Sequence, residues 1–347
     1  MAQVQSPAEA ANYLHVRNDW LARRREPILE PDLPIIDPHH HLWDRENWRY
    51  LLDDLLADTN SGHNILGTVF VQARAMLRAD GPEEMKPLGE VEFVNGIAAM
   101  TASGSYGKIR ACAGIVGHAD LMLGSRVEPV FEALARASGR FRGIRHITAW
   151  DTDPQVVNPG NPAVPGMLGE ATFREGFKVL ARLGHSFDAW LYHPQLDELT
   201  SLADAFPDAK IVLNHCGGVV GINAYNKDDV FPVWKTSIAA LAQRPNVYVK
   251  LGGLGMRLCG HAFDKLADPP SSQMLADAWR PYIETCIAAF GPSRGMFESN
   301  FPVDKGSYSY PVFWNACKLL AKGASASEKA DLFAGAAKRF YRLEGIG

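Results

Sequence analysis

The residues best suited to chemistry sit near the N-terminus, in Asp37-Pro38-His39-His40-His41-Leu42-Trp43-Asp44. In extended chain alternate side chains share a face, so His39 and His41 point together and His40 points away. Two imidazoles at one strand end are two ligands for a divalent metal, or two donors for an anionic substrate. A turn made polar by chance is the competing reading. Against it, further histidines close other apolar runs. His146 ends Arg142-Gly143-Ile144-Arg145-His146, His193 follows Trp190-Leu191-Tyr192, and His215 follows Leu213-Asn214. His118, after Ile109–Val116, is a weaker companion, and His15, His63, His185 and His261 read as structural or surface residues.

Hydrolysis needs a base that takes a proton from water. The last apolar run, Met296-Phe297-Glu298-Ser299-Asn300-Phe301-Pro302-Val303-Asp304, offers two carboxylates. Glu298 lies inside the run and reads equally as a base or as part of a buried polar network. Asp304 is taken as the base, and Asn300 can exchange hydrogen bonds but not serve as one. Arg145 and His146 are placed to hold a substrate, arginine gripping a carboxylate with two donors. Lys250 and Arg257 are further cations, explained equally well as solvated loop charge. Trp43, Trp48, Trp150 and Tyr192 could wall an apolar or aromatic substrate.

The elements that must position these groups alternate along the chain. Strands are read at Pro34–Asp37, Leu66–Gln72, Ile109–Val116, Phe141–Ile147, Ser186–Leu191, Lys210–Asn214, Asn246–Leu251 and Arg294–Glu298. Apolar spacings of three and four predict helices over Glu90–Met100, Glu128–Ala137, Phe173–Leu183, Leu196–Phe206, Val233–Gln243 and Leu275–Phe290. Two more, about Pro311–Lys322 and Ser327–Tyr341, follow at the C-terminus. Alternating strands and helices imply parallel pairing through right-handed crossovers. Eight of them suit a closed (β/α)8 TIM barrel, whose catalytic residues gather at the C-terminal ends of the strands. A doubly wound open sheet is the alternative. With no linker or repeat in view, residues 1–347 are read as a single domain, with an N-terminal arm over 1–33 and a core over about 34–341.

Composition narrows the function. A formal net charge of −4 gives no electrostatic reason to expect nucleic acid or an anionic membrane surface. Five scattered cysteines without a Cys-x-x-Cys pair suit free thiols in a reducing compartment, and the charged start lacks the apolar stretch of a signal peptide. A cytoplasmic protein without membrane or nucleic-acid partners is expected, acting on a small molecule. The aromatic segment Tyr308–Trp314 is expected at the surface, as a possible homodimer contact. No Gly-x-Ser-x-Gly elbow is present, and Gly252-Gly253-Leu254-Gly255 lacks the spacing of a phosphate loop.

Taken in order, Asp-x-His-x-His-Leu-Trp-Asp, Gly-Thr-Val-Phe-Val, Gly-Ile-Arg-His, Tyr-His-Pro-Gln, Asn-His-Cys-Gly and Ser-Asn-Phe-Pro resemble the amidohydrolase-2 (amidohydrolase-related) family of the amidohydrolase superfamily, from about Ile35 to Tyr341. Within it the likeness is to the lactonase branch, which includes 2-pyrone-4,6-dicarboxylate lactonase and sugar-lactone hydrolases. The resemblance implies a distorted barrel and attack of water on a carbonyl carbon, often in a lactone ring. It also implies that His39 and His41 bind one divalent metal, zinc or manganese, joined by His193 and His215. The family's strand-eight aspartate, a metal ligand or water activator, is replaced by Asn300. Metal-free catalysis is therefore an alternative, with imidazole and arginine donors stabilising the oxyanion. The expected function is hydrolysis of a lactone of a small carboxylated molecule, with Asp304, His193, His215 and Asn300 catalytic and Arg145, His146, Tyr192 and Trp43 binding substrate. Non-oxidative decarboxylation of an aromatic or unsaturated acid, and a non-catalytic ligand-binding barrel, are the alternatives.

Overall fold

The computed structural model describes residues 13–157 and 163–346. Eight parallel strands follow one another around a nearly closed barrel in sequence order. They are β1 (Pro34–His40), β2 (Asn64–Val71), β3 (Arg110–Gly117), β4 (Phe141–Ile144), β5 (Ser186–Ala189), β6 (Lys210–Leu213), β7 (Val247–Leu251) and β8 (Gly295–Phe297). The open-sheet alternative is thereby set aside. The seam between β1 and β8 is stitched just beyond β8. Asn300 N–H donates to His39 O at 3.0 Å, and His41 N–H to Phe301 O at 2.8 Å. Asp37 reinforces it, accepting from the Ser299 hydroxyl at 2.6 Å, the Ser299 N–H at 3.0 Å and the Tyr310 hydroxyl at 3.0 Å.

Helices cover the outside: α1 (Leu52–Thr59), α2 (Leu88–Ala102), α3 (Glu128–Ala137), α4 (Ala171–Arg182), α5 (Leu196–Ala205), α6 (Lys227–Ala242), α7 (Ser272–Phe290), α8 (Tyr310–Leu320), α9 (Ala326–Ala330) and α10 (Ala336–Tyr341). The apolar stripes of the outer helices and the outward faces of the strands form the main core. A second cluster lies against residues that precede the site on their strands. There Ile36, Val69, Val116, Val212 and Met296 pack on Phe340 and Tyr341.

Three sequence expectations change. Trp43–His63, read as surplus chain, holds a short hairpin (Trp43–Arg45 with Trp48–Tyr50) and α1. The helix expected over Ser327–Tyr341 is divided by a π turn at Asp331–Gly335. The Tyr308–Trp314 segment is not a surface: Tyr308, Tyr310, Phe313 and Trp314 are fully buried, because α8 packs its rings between α7 and the barrel seam. All five cysteines are free and buried. Among the described residues no helix is long and apolar enough to cross a membrane.

Candidate active site

Glu298, the residue after β8, reaches between two imidazoles. Its Oε1 lies 2.7 Å from His215 Nδ1 and accepts the His215 backbone N–H at 3.0 Å. Its Oε2 lies 2.7 Å from His39 Nδ1. That second contact is out of line for a hydrogen bond, and Oε2 is buried with no donor. The His39 and His215 rings stand 4.5 Å apart, with His41 4.9 Å from His39. Burial raises the Glu298 carboxyl to about 8, partly offset by Lys250 and the His215 N–H. Burial, with the charges of Lys250 and Arg145, holds His39 and His215 well below the usual imidazole range, so both are neutral.

The loops make room for this arrangement. A Cβ on Gly252 would stand 2.1 Å from Glu298 O, and one on Gly253 would stand 2.4 Å from His215 Nδ1. The Gly-Gly pair that failed as a phosphate loop is thus the space into which Glu298 and His215 fit. His215 itself takes a left-handed φ of 55°, a conformation side chains other than glycine adopt at a cost.

Two buried cations flank His39. Lys250 Nζ donates to Asp188 Oδ2 at 2.7 Å and to Pro38 O at 2.9 Å, and stands 3.2 Å from His39 Nδ1. Asp188 also accepts from Asn214 Nδ2 at 3.2 Å and from the Tyr341 hydroxyl at 2.8 Å. Arg145 Nη1 stands 3.2 Å from His39 Nε2, and its Nη2 donates to Gln72 O. Burial lowers Arg145 only to about 10, so it stays charged at neutral pH. Lys250 is paired with the Asp188 carboxylate at 2.7 Å.

The remaining expected residues fall around this group. His41 Nδ1 donates to Val71 O at 2.7 Å and its ring stacks on Trp43 at 5.6 Å, with Trp48 edge-on to Trp43. His193 lies apart: its Nδ1 accepts the Val220 N–H at 3.2 Å, and its ring meets Tyr225. His146 Nδ1 accepts the Leu121 N–H at 3.2 Å. Tyr192 donates its hydroxyl to Val156 O at 2.8 Å. Arg257 turns away to Gln155 O. Asp304 accepts three hydrogen bonds, from Asn300 Nδ2 at 2.9 Å, Gly255 N–H at 3.0 Å and the Tyr308 hydroxyl at 2.6 Å. Burial raises its carboxyl to about 7. Asn300 thereby links Asp304 to the barrel seam. Asp188 escaped the sequence reading, although a carboxylate inside the apolar run Ser186–Ala189 signals a buried partner. A cavity of about 180 Å³ opens beside Arg145, lined by Gln72, Arg74, His118, Asp120, Met122, His146, Ile147 and Met167.

Among the described residues, His39, His215 and Glu298 each offer one ligand atom within 4.8 Å of the others. Two neutral imidazoles and a carboxylate oxygen lacking a donor suit a divalent cation in number, chemistry and burial.

Comparison with known proteins agrees with this architecture. An uncharacterized protein, y4mH, of Sinorhizobium fredii is 35% identical over 90% of this chain and 99% of its own length. L-fucono-1,5-lactonase of Burkholderia multivorans is 24% identical over 89% of this chain and 96% of its own. A crystal structure of an amidohydrolase from Burkholderia multivorans with bound zinc superposes with a TM-score of 0.69 at 23% identity, covering 89% of this chain and 99% of that one. Residues 36–343 match the Amidohydrolase family (Amidohydro_2), and with barrel and histidine group in place the chain belongs to that family.

Proposed function

We propose that the protein hydrolyses a lactone of a small carboxylated molecule at the group formed by His39, Glu298 and His215. The supporting observation is a buried carboxylate held between two neutral imidazoles, with one oxygen left without a donor and two cations beside the same imidazole. The likeness to a lactonase favours a cyclic ester over other substrates of this family.

His39, His215 and Glu298 would hold a divalent ion, zinc or manganese, which when bound supplies a Lewis acid and lowers the pKa of its water towards neutrality. The chain supplies the rest. Arg145 and Lys250 place positive charge where a ring carbonyl oxygen becomes an oxyanion. In its ionised form, reached above about pH 8, Glu298 takes the proton that water releases on bonding to the carbonyl carbon and passes it to the ring oxygen, which leaves as an alcohol. Asp304 fixes Asn300 and the loop beyond β8.

The test is a panel of five- and six-membered lactones, with and without a carboxylate, read by proton release. Aromatic acids read by carbon dioxide release run beside it. Saturable proton release on lactones is expected. Carbon dioxide release without lactone turnover would favour the decarboxylase, and silence in both assays the ligand-binding barrel.

A further inference from the structure

The cavity beside Arg145 does not include His39, His215 or Glu298 in its lining. It adjoins them through Arg145, whose Nη2 donates to Gln72 O and whose own carbonyl lies 3.1 Å from His118 Nδ1. Two polar groups among its lining residues lack partners. Gln72 is 1% exposed, and its Oε1 is buried without a hydrogen bond. Leaving such a group unsatisfied costs about 1–3 kcal/mol. Arg74 makes no hydrogen bond or ion pair among the described residues. By contrast, Arg145 spends two of its nitrogens on His39 and Gln72 O.

The loop carrying Arg74 is built to present it. Arg74 adopts a left-handed φ of 56°, which side chains other than glycine avoid. Buried Glu90 holds the strained turn from both sides, its Oε1 accepting Ala73 N–H at 2.8 Å and Ala75 N–H at 2.9 Å. Residues held in such sparsely populated backbone regions are found more often at ligand sites than elsewhere. Asp120, the acidic group in the lining, accepts the Met122 N–H at 2.9 Å and forms no ion pair with Arg74. The space is small: a cavity of about 150 Å³ admits a benzene ring, so this one takes a single ring with one or two small substituents. Met122, Ile147 and Met167 provide apolar walls for such a ring.

We propose, resting on the lactone reading above, that Gln72 and Arg74 form the recognition subsite for a single-ring lactone bearing a carboxylate and a hydroxyl. Arg74 pairs with the carboxylate, the Gln72 amide turns to accept from the hydroxyl, and the ring lies on the Arg145 side of the buried group.

The test separates the subsite from the reaction. Benzoate, a single-ring carboxylate that cannot be hydrolysed, is titrated calorimetrically into wild type, Arg74→Met and Arg74→Lys, with benzyl alcohol as the uncharged control. Arg74→Met should weaken benzoate by about tenfold or more, as for loss of a charge-assisted hydrogen bond, and leave benzyl alcohol within about twofold. Arg74→Lys should fall between, and carries the comparison alone if the methionine variant does not fold. Equal benzoate affinity in all three overturns the subsite, whether or not any lactone is hydrolysed. On a hydrolysed lactone, Arg74→Met should lower kcat/KM about tenfold for the carboxylated member and hardly for its neutral analogue; equal losses on both overturn it. Gln72→Leu should erase any preference for a hydroxylated over a deoxy lactone, and a retained preference removes Gln72 from the subsite. Arg74-dependent benzoate binding without lactone turnover keeps the subsite and removes the proposed reaction.

Discussion

Glu298 and Asp304 are both buried carboxylates on one loop, and their partners divide their work. Asp304 has both oxygens occupied by donors from Asn300, Gly255 and Tyr308, whereas Glu298 keeps Oε2 free between His39 and His215. The Asp304 carboxyl is raised from 3.8 to about 7. Its protonated form is favoured in the folded chain, so that contribution is complete below about pH 4 and is lost as pH rises towards 7. In Asp304→Asn the side chain does not titrate. Urea unfolding of both proteins at about pH 4.5 and about pH 7.5 should therefore show the variant gaining on wild type at the higher pH. A stability gap independent of pH would contradict the protonated Asp304. At this scale the sequence placed imidazoles on β1 and after β6 and assigned the base to Asp304, leaving Glu298 between a base and a buried polar network. Which carboxylate keeps a free oxygen depends on Tyr308 and Gly255, whose approach no spacing reveals. His193 was grouped with them because it follows an apolar run. β5 ends at Ala189, however, and His193 opens the separate turn His193–Gln195, where Val220 takes its Nδ1.

The elements were the most legible part of the chain, because β-branched runs and apolar spacing of three and four are set locally. All eight strands lie where they were expected. The boundaries that moved did so for identifiable reasons. α6 begins at Lys227 instead of Val233, since the Asn226 side chain accepts the Asp228 N–H and caps the helix there, with Pro232 inside it. α1 and the hairpin were missed because each is too short to display a period. Gly252-Gly253 could be excluded as a phosphate loop, yet its purpose needed the third dimension. Gly253→Ala brings a Cβ to 2.4 Å from His215 Nδ1 at a backbone φ of 68°, so His215 must shift. We expect kcat to fall about 100-fold or more, as for misplacement of a catalytic group, checked by steady-state rates beside a circular-dichroism melt. Full turnover in a folded Gly253→Ala protein would show that His215 need not be held there.

On the scale of the molecule, the C-terminal segment joins stability to the site. Phe340 and Tyr341 pack against inner strand residues, and the Tyr341 hydroxyl donates to Asp188, the partner of Lys250. Tyr341→Phe keeps the ring and removes that donor. The expected loss is about 1.5–3 kcal/mol for a hydrogen bond to a charged group, read as a shift in the urea midpoint. An unchanged midpoint would mean that Lys250 and Asn214 satisfy Asp188 unaided. No part of this coupling was visible in the sequence, where Tyr341 and Asp188 are distant residues of unremarkable type. Metal content belongs to the same scale: purified protein should carry about one zinc or manganese per chain on the His39, His215 and Glu298 ligands. Alanine at His39 should abolish that binding, as elemental analysis would show, and retention of metal by that variant would place the ion elsewhere. The central claim is that Glu298, clasped by two imidazoles, carries the hydrolytic step. Initial rates of proton release from the most active lactone, for wild type and Glu298→Gln under saturating substrate, test it most directly. The variant should lose about 10²–10⁴-fold in kcat, the range for removing a general acid–base group, whereas kcat within a few-fold of wild type would contradict the account.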